Sequence, residues 1–273
     1  MSGYITEGKK RVTPGRLSEM KQKGEKIAML TAYDFTTASI VNQTNVEMIL
    51  VGDSASNVMA GNSTTLPITV DQMIYHATSV VRAIDTALVV VDMPFGSYHG
   101  APHLGVSNAV RMIKESGAAA VKLEGGEEIA QTIREIVAAG IPVMGHLGLM
   151  PQSIHRYGGY GLRAKDEAEA EKLIQDALLL EKCGCFSLVL EKIPATLAER
   201  VSKQLHIPVI GIGAGAGVDG QVLVIQDMLG MNQSFKPKFL RHYANLHQIM
   251  TDAINHYVQD VKDRSFPSLE EQY

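Results

Sequence analysis

Eight short apolar runs constrain this chain more than any other feature. Residues 27–32, 48–52, 87–91, 119–123, 142–145, 186–190, 208–212 and 222–225 are rich in Val, Ile, Leu or Met. They are near-continuous rather than alternating, the pattern of parallel strands buried on both faces. Helical patterns stand between them. One covers 70–82 behind Thr69 as N-cap, and others cover 104–116, 127–139, 166–182 and 196–204. Gly117, Gly140 and Gly184 follow three of these, where glycine serves as a C-cap. Strand and helix alternating to eight strands predicts a (β/α)8 TIM barrel. An open doubly wound sheet is the alternative. Thr13-Pro14 supplies the cap and first turn of an extra N-terminal helix continuing over 17–23. Leu240, Tyr243, Leu246, Ile249, Ile254 and Tyr257 recur near helical spacing. They predict a C-terminal helix over about 237–262, packed on the barrel or on a neighbouring subunit. At 273 residues the expectation is one domain, with a core at about 24–230 and a polar tail at 263–273.

Charge and composition exclude some partners. A net charge of −4 argues against nucleic acid, whose phosphates need clustered Lys and Arg. Lys9-Lys10-Arg11 reads as a solvated tail. The N-terminal stretch MSGYITEGKKRVTPGRL is charged and has no apolar core of the secretory type, and no run reaches membrane-span length. A cytoplasmic protein without membrane partners is expected. Cys183 and Cys185 are one residue apart, too close for an unstrained bridge, and read as reduced thiols.

In such a barrel the active site lies at the C-terminal strand ends, and there the apolar runs terminate in carboxylates. The second gives Asp53-Ser54, the third Asp92, the fourth Lys122 and Glu124, the fifth His146 and the sixth Glu191. One such acid reads as a helix cap or a solvated loop residue. Four converging on one barrel end read as a site. Lys122 and Glu124 are two apart and face the same way on a strand. They form a structural ion pair or part of a site. Clustered buried carboxylates must protonate, pair or hold a cation. Oxygen donors without a Cys or His set point to Mg²⁺ or Mn²⁺ rather than zinc. His146 orients a ligand or water, or is an inward structural histidine. The glycine run from Gly211 to Gly215 fits a dinucleotide fingerprint formally but lacks the following βα unit. It reads as a close-packing turn. His99 and His103 have Gly100 and Pro102 between them, which disfavours helical metal ligation.

The stretches Thr31-Ala-Tyr-Asp34, Val51-Gly-Asp-Ser54, Thr65-Leu-Pro67, Val121-Lys-Leu-Glu-Gly-Gly126, Gly145-His-Leu-Gly-Leu-Met-Pro-Gln-Ser153, Leu188-Val-Leu-Glu191 and Gly211-Ile-Gly-Ala-Gly215 occur in this order. Together, over about residues 14–262, the sequence closely resembles the ketopantoate hydroxymethyltransferase family. Met150 stands where that family would carry Thr. The resemblance implies a barrel of the phosphoenolpyruvate/pyruvate type. It also implies transfer of a hydroxymethyl group from 5,10-methylenetetrahydrofolate to 3-methyl-2-oxobutanoate, giving 2-dehydropantoate (ketopantoate) in pantothenate biosynthesis. Residue by residue, it implies Asp53, Asp92 and Glu124 as magnesium-site acids, with Glu124 acting directly or through water. Asp53, Ser54, Asp92 and Lys122 become keto-acid contacts, and Glu191 the proton acceptor. One Mg²⁺ per subunit and a high-order homo-oligomer are expected with it.

Two other functions fit the same residues less well. An isocitrate-lyase-like C–C lyase on the same barrel type would carry a reactive Cys in a mobile loop, whereas both cysteines here precede the sixth strand. A catalytically silent barrel serving as an assembly module would tolerate loss of the strand-end acids, and all are present. No motif reads as a pterin pocket.

Overall fold

All eight apolar runs form strands, and the strands close on one another in chain order. They are β1 (Ile27–Thr31), β2 (Met48–Val51), β3 (Leu88–Asp92), β4 (Ala120–Glu124), β5 (Val143–Gly148), β6 (Ser187–Glu191), β7 (Val209–Ile212) and β8 (Gly220–Leu223). Every pairing is parallel, and β8 returns to β1 to complete the barrel. The structure is a computed structural model that describes residues 11–273. The readings of Lys9-Lys10 as a tail and of the chain start as leaderless lie outside the described residues. Two compact units divide the chain, one through Leu223 and one from Val224 to Tyr273.

The barrel interior below the strand ends is hydrophobic. Met48, Leu50, Val90, Met144, Val189 and Ile210 share one buried cluster. Leu17 and Met20 of the helix Pro14–Gln22 join that cluster. Thr13 caps this helix by accepting from the Arg16 N–H. Lys21 reaches Asp219, just before β8, at 2.7 Å, so the helix stoppers the barrel at the N-terminal ends of its strands. The opposite end stays free for polar side chains.

The predicted helices appear near their expected bounds, and Thr69 forms a full capping box with Gln72. The 127–139 pattern resolves into a 3-10 turn, Glu127–Ile129, and a helix, Ala130–Ala138. The helix Phe35–Val41 was not expected. Cys183 and Cys185 are both free and buried. Among the described residues no helix is long and apolar enough to cross a membrane.

Two boundaries need correction. The eighth strand begins at Gly220, not at residue 222. Its backbone runs against Ile27 of β1 and Ile210 of β7, and a Cβ at 220 would lie 2.5 Å from the Ile27 carbonyl oxygen. Only glycine permits that approach, and Val224 already starts the next helical turn. Gly220→Ala is therefore expected to cost about 1–3 kcal/mol by overpacking. It should lower the urea midpoint with an unchanged m-value. A wild-type midpoint would show that the barrel absorbs the methyl group.

In the second unit the long helix is Leu246–Asp263, not 237–262. Tyr243, Leu246 and His247 donate their backbone N–H groups to Met228, Leu229 and Gly230. Those donors are spent on a neighbouring turn and cannot begin a helix at Pro237. No residue of the observed helix is buried, and Ile249, Ile254 and Tyr257 are all more than half exposed.

Candidate active site

The two-residue period of a strand carries apolar interior positions upward into charged ones. Leu88 and Val90 lead to Asp92, Ala120 to Lys122 and Glu124, Met144 to His146, and Val189 to Glu191. Register sets them beside one another. Asp92 pairs with Lys122, Glu124 with His146, and Gly148 with Glu191. Asp53 follows β2 and donates its backbone N–H to Asp92 Oδ2 at 3.0 Å. The residues predicted from the strand ends thus meet at one end of the barrel.

Lys122 is the hub of the charge. Its Nζ lies 3.0 Å from Asp92 Oδ1, 3.9 Å from Glu124 Oε1 and 3.1 Å from His146 Nδ1. The Asp92 contact is an ionic one, off the direction of a good hydrogen bond. His146 bridges two acids, with Nδ1 3.3 Å from Glu124 Oε1 and Nε2 3.3 Å from Glu191 Oε2. Asp53, Asp92, Lys122, Glu124 and His146 are all buried, whereas the Glu191 side chain keeps 18% exposure. Ser54 hydrogen-bonds with the Tyr33 hydroxyl at 2.8 Å.

The titration behaviour follows from this crowding. Burial, then the charges of Asp92 and Glu124, hold the Asp53 carboxyl well above the usual range. Burial also raises Asp92, against the pull of Lys122. Glu124 is lowered: burial opposes ionisation, but His146 and Lys122 outweigh it. Burial alone would lower Lys122, yet the three acids raise it. Burial and Lys122 push His146 down, and Glu124 and Glu191 bring it up to about 9.

A family model for ketopantoate hydroxymethyltransferase matches residues 11–269. The chain belongs to that family. It is 67% identical, over the whole length of both chains, to a 3-methyl-2-oxobutanoate hydroxymethyltransferase of Bacteroides fragilis. Among solved structures it is similar to 2,3-dimethylmalate lyase, a PEP mutase/isocitrate lyase superfamily member, at TM-score 0.61 and 15% identity, covering 94% of this chain and 86% of that one. It is also similar to phosphonopyruvate hydrolase in complex with oxalate and Mg²⁺, at TM-score 0.60 and 11% identity, covering 94% and 92%. At those identities the likeness concerns the fold. The family fixes the activity: the chain is a transferase that adds a hydroxymethyl group to 3-methyl-2-oxobutanoate. The lyase and silent-barrel readings give way to it.

In this hydroxymethyltransferase several site residues were not legible as such in the sequence. Gln152, in the loop after β5, is buried. Its Nε2 donates to Asp53 Oδ2 at 2.9 Å and to the Met93 carbonyl at 3.0 Å. Its backbone N–H donates to Glu124 Oε2 at 3.0 Å. The hydroxyl of buried Tyr98 donates to Gln152 Oε1 at 2.7 Å and accepts from the Glu124 N–H at 3.1 Å. Tyr33 and Gln152 lie inside stretches that carried the family resemblance, yet neither is titratable near neutrality or sits at a strand end. A search for acids and bases passes over both. Tyr160, in the glycine-rich loop after β5, is half exposed. Burial first, then the charges of Glu191 and Asp53, raise its hydroxyl pKa.

The backbone around Glu191 is tightly fixed. A Cβ at Gly148 (φ +94°) would lie 2.3 Å from the Glu191 carbonyl oxygen. Lys192, the next residue, has φ +49°, an uncommon conformation for a side chain with a Cβ. Its N–H bonds to Ile212, its carbonyl accepts from Arg163, and its Nζ donates to the Tyr160 carbonyl. The loop after β5 is thereby tied to the strand that carries Glu191.

The donor set fits a hard divalent cation. Asp53 and Asp92 are buried acids held away from ionisation by burial and by neighbouring carboxylates, Glu124 acting on both, and a cation reverses both penalties. Among the described residues no three His, Cys, Asp or Glu side chains form a ready-made cage. Mg²⁺ takes one or two carboxylates and fills its octahedron with water and substrate oxygens.

Proposed function

We propose that this enzyme uses Mg²⁺ and 5,10-methylenetetrahydrofolate to make 2-dehydropantoate, with Glu191 removing the C3 proton of the keto acid. Asp53 and Asp92 would hold the ion, and Glu124, whose two oxygens already face Gln152 and His146, would act through water. Bound there, Mg²⁺ supplies Lewis-acid stabilisation of the enolate charge, about several kcal/mol. The similar fold that carries Mg²⁺ and oxalate in phosphonopyruvate hydrolase supports this reading.

The chain's own residues do the rest. Asp53, Ser54, Asp92 and Lys122 contact the keto acid, with the Ser54 hydroxyl donating to its carboxylate. Glu191 accepts the C3 proton, and the resulting nucleophilic carbon forms its bond to the one-carbon unit; the carbon–nitrogen bonds of that unit to the folate break, water supplies the hydroxyl oxygen, and tetrahydrofolate leaves. His146 is a positioning residue. Its ring stands between Glu124 Oε1 and Glu191 Oε2, 3.3 Å from each. The observation that carries the reading is this separation: three buried acids around Lys122 on one side, and the more accessible Glu191 across His146 on the other.

Incubation with 3-methyl-2-oxobutanoate in D₂O tests it. NMR should show Mg²⁺-dependent loss of the C3 proton signal without folate, and ketopantoate should form once methylenetetrahydrofolate is added. Exchange that ignores Mg²⁺ would sink the metal assignment.

The protein is further proposed to act in the cytoplasm as a high-order homo-oligomer. The row of Ile249, Ile254 and Tyr257 on helix Leu246–Asp263 would pack against another copy. A single-chain mass in mass photometry would overturn the assembly.

A further inference from the structure

We infer that Gln152 sets the metal selectivity of this site, by restricting Asp53 to a single ligating oxygen. The inference rests on the reading of Asp53 as a metal-site acid. It concerns a positioning residue, since Gln152 acts through the carboxylates it touches.

The Gln152 amide has one allowed orientation. Both of its N–H groups are used, on Asp53 Oδ2 and on the Met93 carbonyl. Its oxygen receives the Tyr98 hydroxyl, whose own lone pair is engaged by the Glu124 N–H. A flipped amide would aim its oxygen at two acceptors, Asp53 Oδ2 and the Met93 carbonyl. The two acceptors fix the amide, and Tyr98, whose hydroxyl lies 2.7 Å from Gln152 Oε1 and 3.1 Å from the Glu124 carbonyl, supports it from the other side; the amide in turn holds Asp53. Oδ2 is tied down, while among the described residues Oδ1 accepts no hydrogen bond. The Gln152 backbone meanwhile holds Glu124 Oε2. One residue thus occupies one oxygen on each of two acids, from two different strands.

Ion chemistry gives this a consequence. Mg²⁺ and Mn²⁺ need few protein oxygens in a strict octahedron, whereas Ca²⁺ takes about 6–8 oxygens and favours bidentate carboxylates. A carboxylate oxygen can accept a hydrogen bond and ligate an ion at once, so the restriction lies in orientation: turning both Asp53 oxygens squarely onto an ion rotates the carboxylate off Gln152 Nε2. That strands a buried N–H group, which is costly. The site is thereby biased against the larger ion by the hydrogen bonds behind its ligand rather than by the ligands themselves.

The test is Mn²⁺ binding, followed by the EPR signal of the free ion, with competition by Mg²⁺ and separately by Ca²⁺. It compares the wild-type protein with Gln152→Leu and Tyr98→Phe, each checked for folding by circular dichroism. In Gln152→Leu the ratio of Ca²⁺ to Mg²⁺ affinity should rise about tenfold, within the range by which partners of metal ligands alter affinity. Tyr98→Phe should shift it the same way by less. An unchanged ratio in folded Gln152→Leu overturns the inference, as does equal weakening of both ions. If Gln152→Leu does not fold, an unchanged ratio in Tyr98→Phe overturns it. Absence of Mn²⁺ binding by the wild type would instead overturn the metal reading, and the inference with it.

Discussion

Glu191→Gln is expected to suppress exchange of the C3 proton of 3-methyl-2-oxobutanoate by roughly 10²–10⁴-fold, the range supplied by a positioned general base. Glutamine matches glutamate in size but cannot accept the proton. Its oxygen can occupy the place of Glu191 Oε2, 3.3 Å from His146 Nε2. The backbone is pinned from both sides, by Gly148 beneath the Glu191 carbonyl and by the bonds of Lys192 to Ile212 and Arg163. The substitution therefore changes one group without moving the strand. Asp53, Asp92 and Lys122 keep their contacts, so Mg²⁺ binding should persist. Loss of exchange with retained Mg²⁺ binding separates the base from the metal acids. Normal exchange by the variant would remove Glu191 from the role.

The acids were legible in the sequence because a strand end makes them so. A carboxylate closing a buried apolar run has nowhere to go but inward or onto the rim, and the two-residue period alone puts Lys122 and Glu124 on one face. The barrel followed from the same runs. The eighth strand slipped because Val222–Ile225 is the more apolar stretch, while pairing is governed by the close approach at Gly220. The helix Phe35–Val41 is Thr-rich and short, and its signal was the Asp34 cap, which accepts from Thr37. Gln152, Tyr98 and Tyr33 were out of reach for another reason. Each works through hydrogen bonds between chain segments far apart in sequence, Gln152 to Asp53 most of all, and no local pattern encodes such a partner.

Removing Asp53 should separate stability from metal binding. In the metal-free protein Asp53 is buried beside Asp92 and Glu124, and those neighbours together with burial hold its carboxyl well above the usual range. Its charged form is thus a burden on the folded state near neutral pH. Asp53→Ala takes away that charge, at the expense of the Gln152 Nε2 acceptor. The metal-free melting temperature should accordingly change little. The response to Mg²⁺ should change much more. A ligand at a hundred times its Kd adds about 2.7 kcal/mol to the folded state, visible as a rise in melting temperature for the wild type. In Asp53→Ala that rise should largely disappear, with a loss of affinity beyond the roughly 10–100-fold caused by removing a mere partner of a ligand. Asp92→Ala should behave similarly towards Mg²⁺ but also release Lys122 from its 3.0 Å ionic contact. The freed ammonium then sits between Glu124 and His146 alone, and keto-acid binding should weaken along with the metal. A wild-type Mg²⁺ titration in either variant would count against that acid as a holder of the ion. In both variants together it would move the metal away from this end of the barrel.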